Sequence, residues 1–586
     1  MSSARPPLHI LYASETGTAI DCAQALARDA RRMHFTVERI AAMDSALDAL
    51  TAEDGAVLLF CVAVTGQGAE CRNMVRFWRF LMRRDTPKNV LEGTRFAVFG
   101  LGDSSYAKFN YPAKKLFKRL VQLGASPLVP RGDGDDQHPL GVDGAFDPWC
   151  ESLWTTLLDR CPLPGHLHVL PKNVLHPASY TLAFLAASPA EPAPPPAPLP
   201  RATCIQNTRI TAQSHFQDVR HISFQLPSQT RYSPADVMTI HPRNPPDEVS
   251  SLLEFLEWTD IADRPFQLHP ALPNVTVPSH WSTILTLRTV LEKYLDFMGR
   301  PKRYFFHLLA FFAVDVMHAE KLREFASAEG QELYAYCHKL RRTTFEVLTD
   351  FHSCRGKIPP AYLFDLIPPM RPRMYSISSA QSVSPGQLDL TVGLVKYKTR
   401  MQKMREGVCS RFLERLEVRD FVDFTIDKGT LKLPSDTSVP VILIGAGTGI
   451  APMRSLLLDR IHQGATRNLL FCGFRGAQSD YLHGDDFERI VRQGSLQVFP
   501  AFSRDHDEGK VSYVQHRMKE QARLVWETLQ EGGCIYVSGN AQRIPRAVND
   551  ALLDIFKQEG GLGVEEAHAF LVQLEKERRY QSECWT

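Results

Sequence analysis

The chain has 586 residues, 44% hydrophobic and 23% charged, with a formal net charge of +2. That length predicts three to four domains at about 150 residues each, and the balance is that of a soluble globular protein. Near-zero charge argues against a nucleic-acid partner. No run of about 18 apolar residues exists for a membrane helix, and Met1 to Pro7 lacks the apolar core of a signal peptide. The twelve cysteines form no Cys-x-x-Cys pair. This argues against a zinc ribbon, a protein-held iron–sulfur cluster or a dithiol redox motif, and suggests reduced, buried thiols of a cytoplasmic protein.

The first 160 residues alternate strand and helix signals. Strands are predicted at His9–Tyr12, Ala56–Val64 and Phe96–Leu101, with helices such as Ala19–Met33 and Met74–Arg83 between them. Apolar strands alternating with helices imply a doubly wound parallel sheet whose ligands sit at the carboxyl ends of its strands. Three candidate loops fall there. The first is Ser14, Glu15, Thr16, Gly17, Thr18 and Ala19, a hydroxyl-rich turn from strand to helix. It points N–H groups at a phosphate and suits a terminal monophosphate such as that of FMN. The second is Val64, Thr65, Gly66 and Gln67. The third is Leu101, Gly102, Asp103, Ser104, Ser105, Tyr106, Ala107, Lys108, Phe109 and Asn110, where Tyr106 offers a face for stacking. A Gly/Thr-rich turn after a strand is also an ordinary β–α connection, and Tyr106 is equally an ordinary loop aromatic.

Residues 161–203 are expected to be a linker around Ala187–Pro200. Its polyproline-like core would span roughly 25 Å at about 3.1 Å per residue, a tether between domains that must touch and separate. Residues 204–435 carry strand signals at Thr208–Ile210, Val219–Leu226, Val237–Ile240, Arg373–Ser378 and Leu388–Leu394. A largely helical block at about 247–364 interrupts them, with helices predicted at Ile284–Phe297, Tyr304–Val314 and Leu322–Thr349. This pattern suggests an antiparallel barrel with an inserted subdomain. On one predicted strand, Arg373, Met374, Tyr375 and Ser376 set an Arg, an aromatic and a hydroxyl where they can pair a pyrophosphate and stack a flavin. Gly407, Val408, Cys409 and Ser410 form a turn whose N–H groups can meet the same pyrophosphate. An edge strand with a solvated arginine is the plain alternative.

Residues 436–586 return to β/α alternation. Val439–Ile444 runs into Gly445-Ala446-Gly447-Thr448-Gly449, glycine-rich enough for close approach of a dinucleotide pyrophosphate. Strands follow at Leu469–Gly473, Leu496–Ala501 and Cys534–Val537. Ser503, Arg504 and Lys510, near Tyr513 and Gln515, put two cations and a hydroxyl where a 2′-phosphate of NADPH would sit. NAD sites favour an acid there. A solvated charged loop is the alternative. Trp585 stands one residue from the end of the chain, where a large aromatic would ordinarily fray.

Together these loops resemble the diflavin reductase family over nearly the whole chain. The resemblance implies an α/β multidomain protein with three parts. These are a flavodoxin-like FMN domain, an FAD-binding β-barrel with a helical insert, and a doubly wound NADPH-binding domain of the ferredoxin–NADP reductase kind. It implies that Ser14–Ala19 hold the FMN phosphate, that Val64–Gln67 and Leu101–Asn110 flank its ring, and that Asp136 lies at its edge. It adds Arg341, and Tyr397, on the FAD side. It places Trp585 on the FAD ring, with Ser376, Ser538 and Glu583 lining a hydride-transfer site. Departures stand at Thr65, where many relatives place a second Tyr, and at Ala69-Glu70-Cys71-Arg72 in place of an acidic rim. Ser538 and Glu583 stand where relatives have Cys and Asp, and Ser512 reads as an insertion. Within the family, Gly-Asp-Asp-Gln-His and the terminal Glu-Cys-Trp are most similar to members serving cytosolic iron–sulfur cluster assembly. That implies an anamorsin-type iron–sulfur protein as electron acceptor. A soluble reductase for haem proteins and a non-catalytic interaction scaffold are the alternatives.

Overall fold

Leu58-Leu59-Phe60-Cys61 has no polar face, so a strand containing it is stable only when covered on both sides. In the computed structural model it lies in the strand Val57–Thr65, at the middle of a parallel sheet. The structure describes residues 5–51, 55–66, 68–106, 108–186, 195–399, 402–505, 512–541 and 543–585.

The strands run in the order Val37–Ala42, Leu8–Ala13, Val57–Thr65, Arg95–Gly102, with Ser126–Pro127 and Gly132–Asp135 both beside the last. Helices Thr18–Arg32 and Asp143–Arg160 cover one face through Leu26, Leu153 and Trp154. Val75–Leu81 and Tyr111–Gln122 cover the other through Phe77, Leu116 and Leu120. Three of these strands escape a sequence search, one of them only the two residues Ser126–Pro127. Val37–Ala42 is an edge strand carrying Glu38 and Arg39, and Gly132–Asp135 is Gly-Asp-Gly-Asp, with no apolar side chain to register. Its glycines are required by packing, because a β-carbon on Gly132 would lie 2.4 Å from the Phe99 ring.

The central sheet is antiparallel, ordered Arg373–Ser376, Val237–His241, Phe421–Asp427, Arg201–Arg209, Val219–Gln225, Gln387–Gly393. An Ile377–Leu390 bridge joins its two ends, and Ser378 N–H donates to Asp389 O at 2.8 Å. The sheet thus closes on itself around Phe224, Met238 and Phe424. Helices from Pro246–Phe255 to Leu363–Leu366 form the insert around their own core, including Phe297, Phe306 and Leu348.

The region expected as one helix, Leu322–Thr349, is three: Val316–Ala326, Gln331–Lys339 and Thr344–Asp350. Ser327 accepts from Gly330 N–H at 3.2 Å in the first break. A Thr343/Glu346 capping box starts the third helix afresh, satisfying donors that a continuous helix would not leave open. The expected linker 161–203 is likewise not extended throughout. Tyr180–Phe184, with its period-two burial, pairs with Phe266–Pro270 of the insert, and Arg201 already begins a barrel strand. The Pro-rich centre of that stretch lies mostly outside the described residues.

The last sheet is parallel, ordered Gln497–Phe502, Asn468–Phe474, Val441–Ala446, Cys534–Asn540, Tyr580–Trp585. The final strand holds Trp585 in register with Asn540, and Trp585 O accepts from Ala541 N–H at 2.9 Å. Ladder pairing therefore places this aromatic within a strand. No cysteine is disulfide-bonded among the described residues, and no helix among them is long and apolar enough to cross a membrane.

The flavodoxin-like part rests on the insert through polar contacts. Arg303 Nε lies 2.6 Å from Asp143 Oδ2, and the Arg28 guanidinium stacks 3.7 Å over Tyr304. Lys302 pairs with Asp21, and Gln331 Nε2 donates to Pro139 O at 2.9 Å.

Candidate functional site

This docking encloses one cleft of about 3320 Å³. Its walls bring together three groups of residues distant in sequence. From the flavodoxin-like side come Glu15 to Thr18, Val64 to Gly66, Leu101 to Asp103, Tyr106, Lys108, Phe109 and Asp136. Arg373 to Ser376 come from the barrel, and Thr448, Glu583 and Trp585 from the last domain.

The first loop has the local geometry its composition predicts. Gly17 takes φ 93°, a conformation that favours glycine, and its N–H donates to Ser14 Oγ at 2.8 Å. Ser14 N–H donates to Asn73 Oδ1 at 3.0 Å, and Glu15 Oε1 accepts from Arg72 N–H at 2.7 Å. The loop is thereby pinned from behind while the first N–H groups of helix Thr18–Arg32, starting at Thr18 and buried Ala19, face forward without helical partners. This donor set fits a phosphate.

Across the cleft, Tyr106 is half-buried, whereas Ser104 and Ser105 are exposed and turn on Asp135 and Asp103. Asn110 is buried in the left-handed region and donates to Gly134 O at 3.1 Å, leaving its amide oxygen without a partner among the described residues. Burial, reinforced by Asp103 and Asp135, pushes the Asp136 carboxyl above its ordinary range. Ser104, Ser105 and Asn110 do not line the cleft; the small residues and the aromatic that do suit a flat ring. Gln67 and Ala107 lie outside the described residues.

On the barrel side, Tyr375 is half-buried and its hydroxyl donates to Cys409 Sγ at 3.2 Å, joining the strand to the Gly407–Ser410 turn. Met374 is 46% exposed. Arg373 lies 3.7 Å from Asp296, a partner without a sequence signal. Gly407 caps helix Val408–Glu414, and Ser410 Oγ accepts from Val395 N–H at 2.9 Å. That turn does not line the cleft. Arg341 is exposed, with φ 53°, and also lies outside the lining, where Arg300 stands instead. Tyr397, on the hairpin strand Lys396–Lys398, is 40% exposed.

In the last domain, Gly449 packs so closely that a β-carbon would lie 2.4 Å from Ser538 O. Gly447 takes φ 56°. Both conditions let the turn approach a pyrophosphate. Ser503 Oγ donates to Phe474 O at 3.3 Å, Arg504 is exposed without an ion-pair partner among the described residues, and Tyr513 and Gln515 open the next helix. Lys510 lies outside the described residues. Ser538 is fully buried, its hydroxyl without a partner among the described residues. Glu583 accepts from Thr430 N–H at 3.1 Å and Thr430 Oγ1 at 2.6 Å, and from Ser376 Oγ at 3.5 Å. Thr430 is a further site residue that the sequence reading misses, because a lone Thr after Gly429 carries no pattern. Trp585 is 39% exposed at the cleft wall.

The flavodoxin family model matches residues 10–149, an FAD binding domain model 200–412, and an oxidoreductase NAD-binding domain model 443–549. The NADPH-dependent diflavin oxidoreductase 1 of Bos taurus is 41% identical over 606 residues, covering 100% of both chains. That of Xenopus laevis is 39% identical and that of Schizosaccharomyces pombe 36%, each covering 99% of both chains. With three matching domains and full-length relatives, the chain belongs to the NADPH-dependent diflavin oxidoreductase family, flavoenzymes that bind FMN, FAD and NADPH.

Proposed function

We propose that the protein passes electrons from NADPH through FAD and FMN to an anamorsin-type iron–sulfur protein, in cytoplasmic iron–sulfur cluster assembly. The observation that carries this order is the shared cleft, whose walls hold the phosphate loop, the Arg373–Ser376 strand and Trp585 together. The cofactors, when bound, supply hydride acceptance from NADPH and the division of that pair into single electrons. The chain's work is to bind, orient and screen. Residues 1–160 form the FMN part and 436–586 the NADPH part; 204–435 form the FAD part with its insert, to which Tyr180–Phe184 and Arg201 of the 161–203 connection also belong.

Glu583, held by Thr430, fixes the Ser376 hydroxyl, and Trp585 covers the face that nicotinamide must reach. Arg504, with Ser503, Lys510 and Tyr513, favours the 2′-phosphate. The rim beginning beside the phosphate loop is cationic: Arg72, Arg76, Arg79, Arg83 and Arg84 are all exposed. None of these five forms an ion pair among the described residues, so the rim suits an acceptor with an acidic docking face.

The test compares NADPH-driven reduction of an anamorsin-type [2Fe–2S] protein with that of a cytochrome. Faster reduction of the cluster, lost at high salt, is expected. Preference for the haem protein overturns the acceptor, and absence of either flavin from the purified protein overturns the electron path.

A further inference from the structure

Arg371 approaches the Arg373–Ser376 strand of the barrel, yet its guanidinium lies against the flavodoxin-like part. A β-carbon built on Gly17 would fall 1.8 Å from Arg371 Nη2, 1.9 Å from Cζ and 2.1 Å from Nη1. The guanidinium therefore rests on the residue that closes the Ser14–Ala19 loop. It has five N–H donors and donates no hydrogen bond among the described residues; its backbone oxygen alone is engaged, by Arg373 Nη1. Burial lowers the pKa of Arg371, Asp296 opposing and Arg373 adding to the effect. Beside it Lys302 pairs with Asp21, while burial and the charge of Arg371 push the ammonium down to about 7. Arg371, Arg373 and Lys302 thus face Asp21 and Asp296 in the cleft wall.

We propose that Arg371 is a ligand of the FMN phosphate supplied from across the domain seam, so that both parts of the protein hold one phosphate monoester. This rests on reading Ser14–Ala19 as the phosphate loop. A guanidinium suits the task because its planar fork can give two parallel N–H bonds to phosphate oxygens. Phosphate occupancy and docking are then linked: the factor by which docking tightens FMN is the factor by which FMN tightens docking. Riboflavin, with the same ring and no phosphate, gains nothing from Arg371. When the parts separate, Arg371 leaves with the barrel and FMN keeps its loop contacts alone.

The test titrates FMN and riboflavin into the deflavinated full-length chain by fluorescence, with docking followed by small-angle scattering. Arg371→Ala and the bulkier Arg371→Gln are expected to weaken FMN about ten-fold or more and leave riboflavin unchanged. The parent chain should be more compact with FMN than with riboflavin, and the variants equally open with either. Unchanged FMN affinity, or equal losses for both flavins, overturns the proposal. Thr16→Ala and Thr18→Ala distinguish the underlying reading. If they weaken FMN and the Arg371 variants do not, the loop stands and Arg371 is excluded. If none weakens FMN, the loop reading itself fails.

Discussion

Ser538 and Glu583 are register partners on neighbouring parallel strands, so the final strand sets a carboxylate beside a buried hydroxyl. Glu583 then reaches Thr430 and Ser376, tying the NADPH-binding sheet to the barrel at the cleft.

Glu583→Gln is expected to slow reduction of FAD by NADPH roughly ten- to a hundred-fold, the equivalent of about 1.5–3 kcal/mol for a hydrogen bond to a charged group. FAD content should stay unchanged. Stopped-flow reduction under anaerobic conditions measures it, and an unaltered rate removes Glu583 from the site.

Arg504→Ala should weaken NADPH roughly ten- to a hundred-fold while NADH binding holds, because one charge-assisted contact to the 2′-phosphate is lost. Parallel titration with both nucleotides is the measurement. Equal losses would place Arg504 elsewhere.

Trp585→Ala should bring the kcat/KM values for NADPH and NADH closer by about two- to ten-fold, the worth of one ring pair. It should also change FAD fluorescence. A constant ratio with unchanged fluorescence would leave Trp585 a strand residue only.

Gly132→Ala would drive a methyl into the Phe99 ring, which already packs on Phe146 at 4.9 Å and Trp149 at 5.2 Å between centroids. Overpacking of this kind costs about 1–3 kcal/mol. The thermal transition of the FMN part should fall, with FMN retention falling alongside, and restore when Phe99 is also reduced to Leu.

Glu346 supplies a pH test. Burial alone would raise its pKa, but hydrogen bonds from Arg405, Lys403 and Thr343 N–H bring it down from its ordinary 4.5 to about 2. A lowered folded-state value means the contribution is complete above about 4.5 and is lost as pH falls toward about 2. The difference in denaturation midpoint between the parent chain and Glu346→Gln should therefore shrink across that window. A difference independent of pH would show that the carboxylate's charge is not what joins the insert to Lys403 and Arg405.

Much of this molecule follows from local sequence. Strand–glycine–helix order, the sign of φ at Gly17 and Gly447, and apolar runs such as Leu58–Cys61 depend on near neighbours, so they point to two doubly wound sheets and the glycine-bearing loops at their strand ends. Signals fail where a segment owes its form to distant partners. Gly132–Asp135 is a strand because Phe99 and its neighbours need a flat cover, and Tyr580–Trp585 is one because Cys534–Asn540 offers an open edge. Leu322–Thr349 keeps helical composition throughout, yet capping by Ser327, Thr343 and Glu346 divides it. Only the tertiary structure sets Arg371 against Gly17, Thr430 against Glu583, and Lys302 beside Asp21. Those contacts join residues more than a hundred positions apart, and charge and shape complementarity across a seam leaves no period or spacing in the chain.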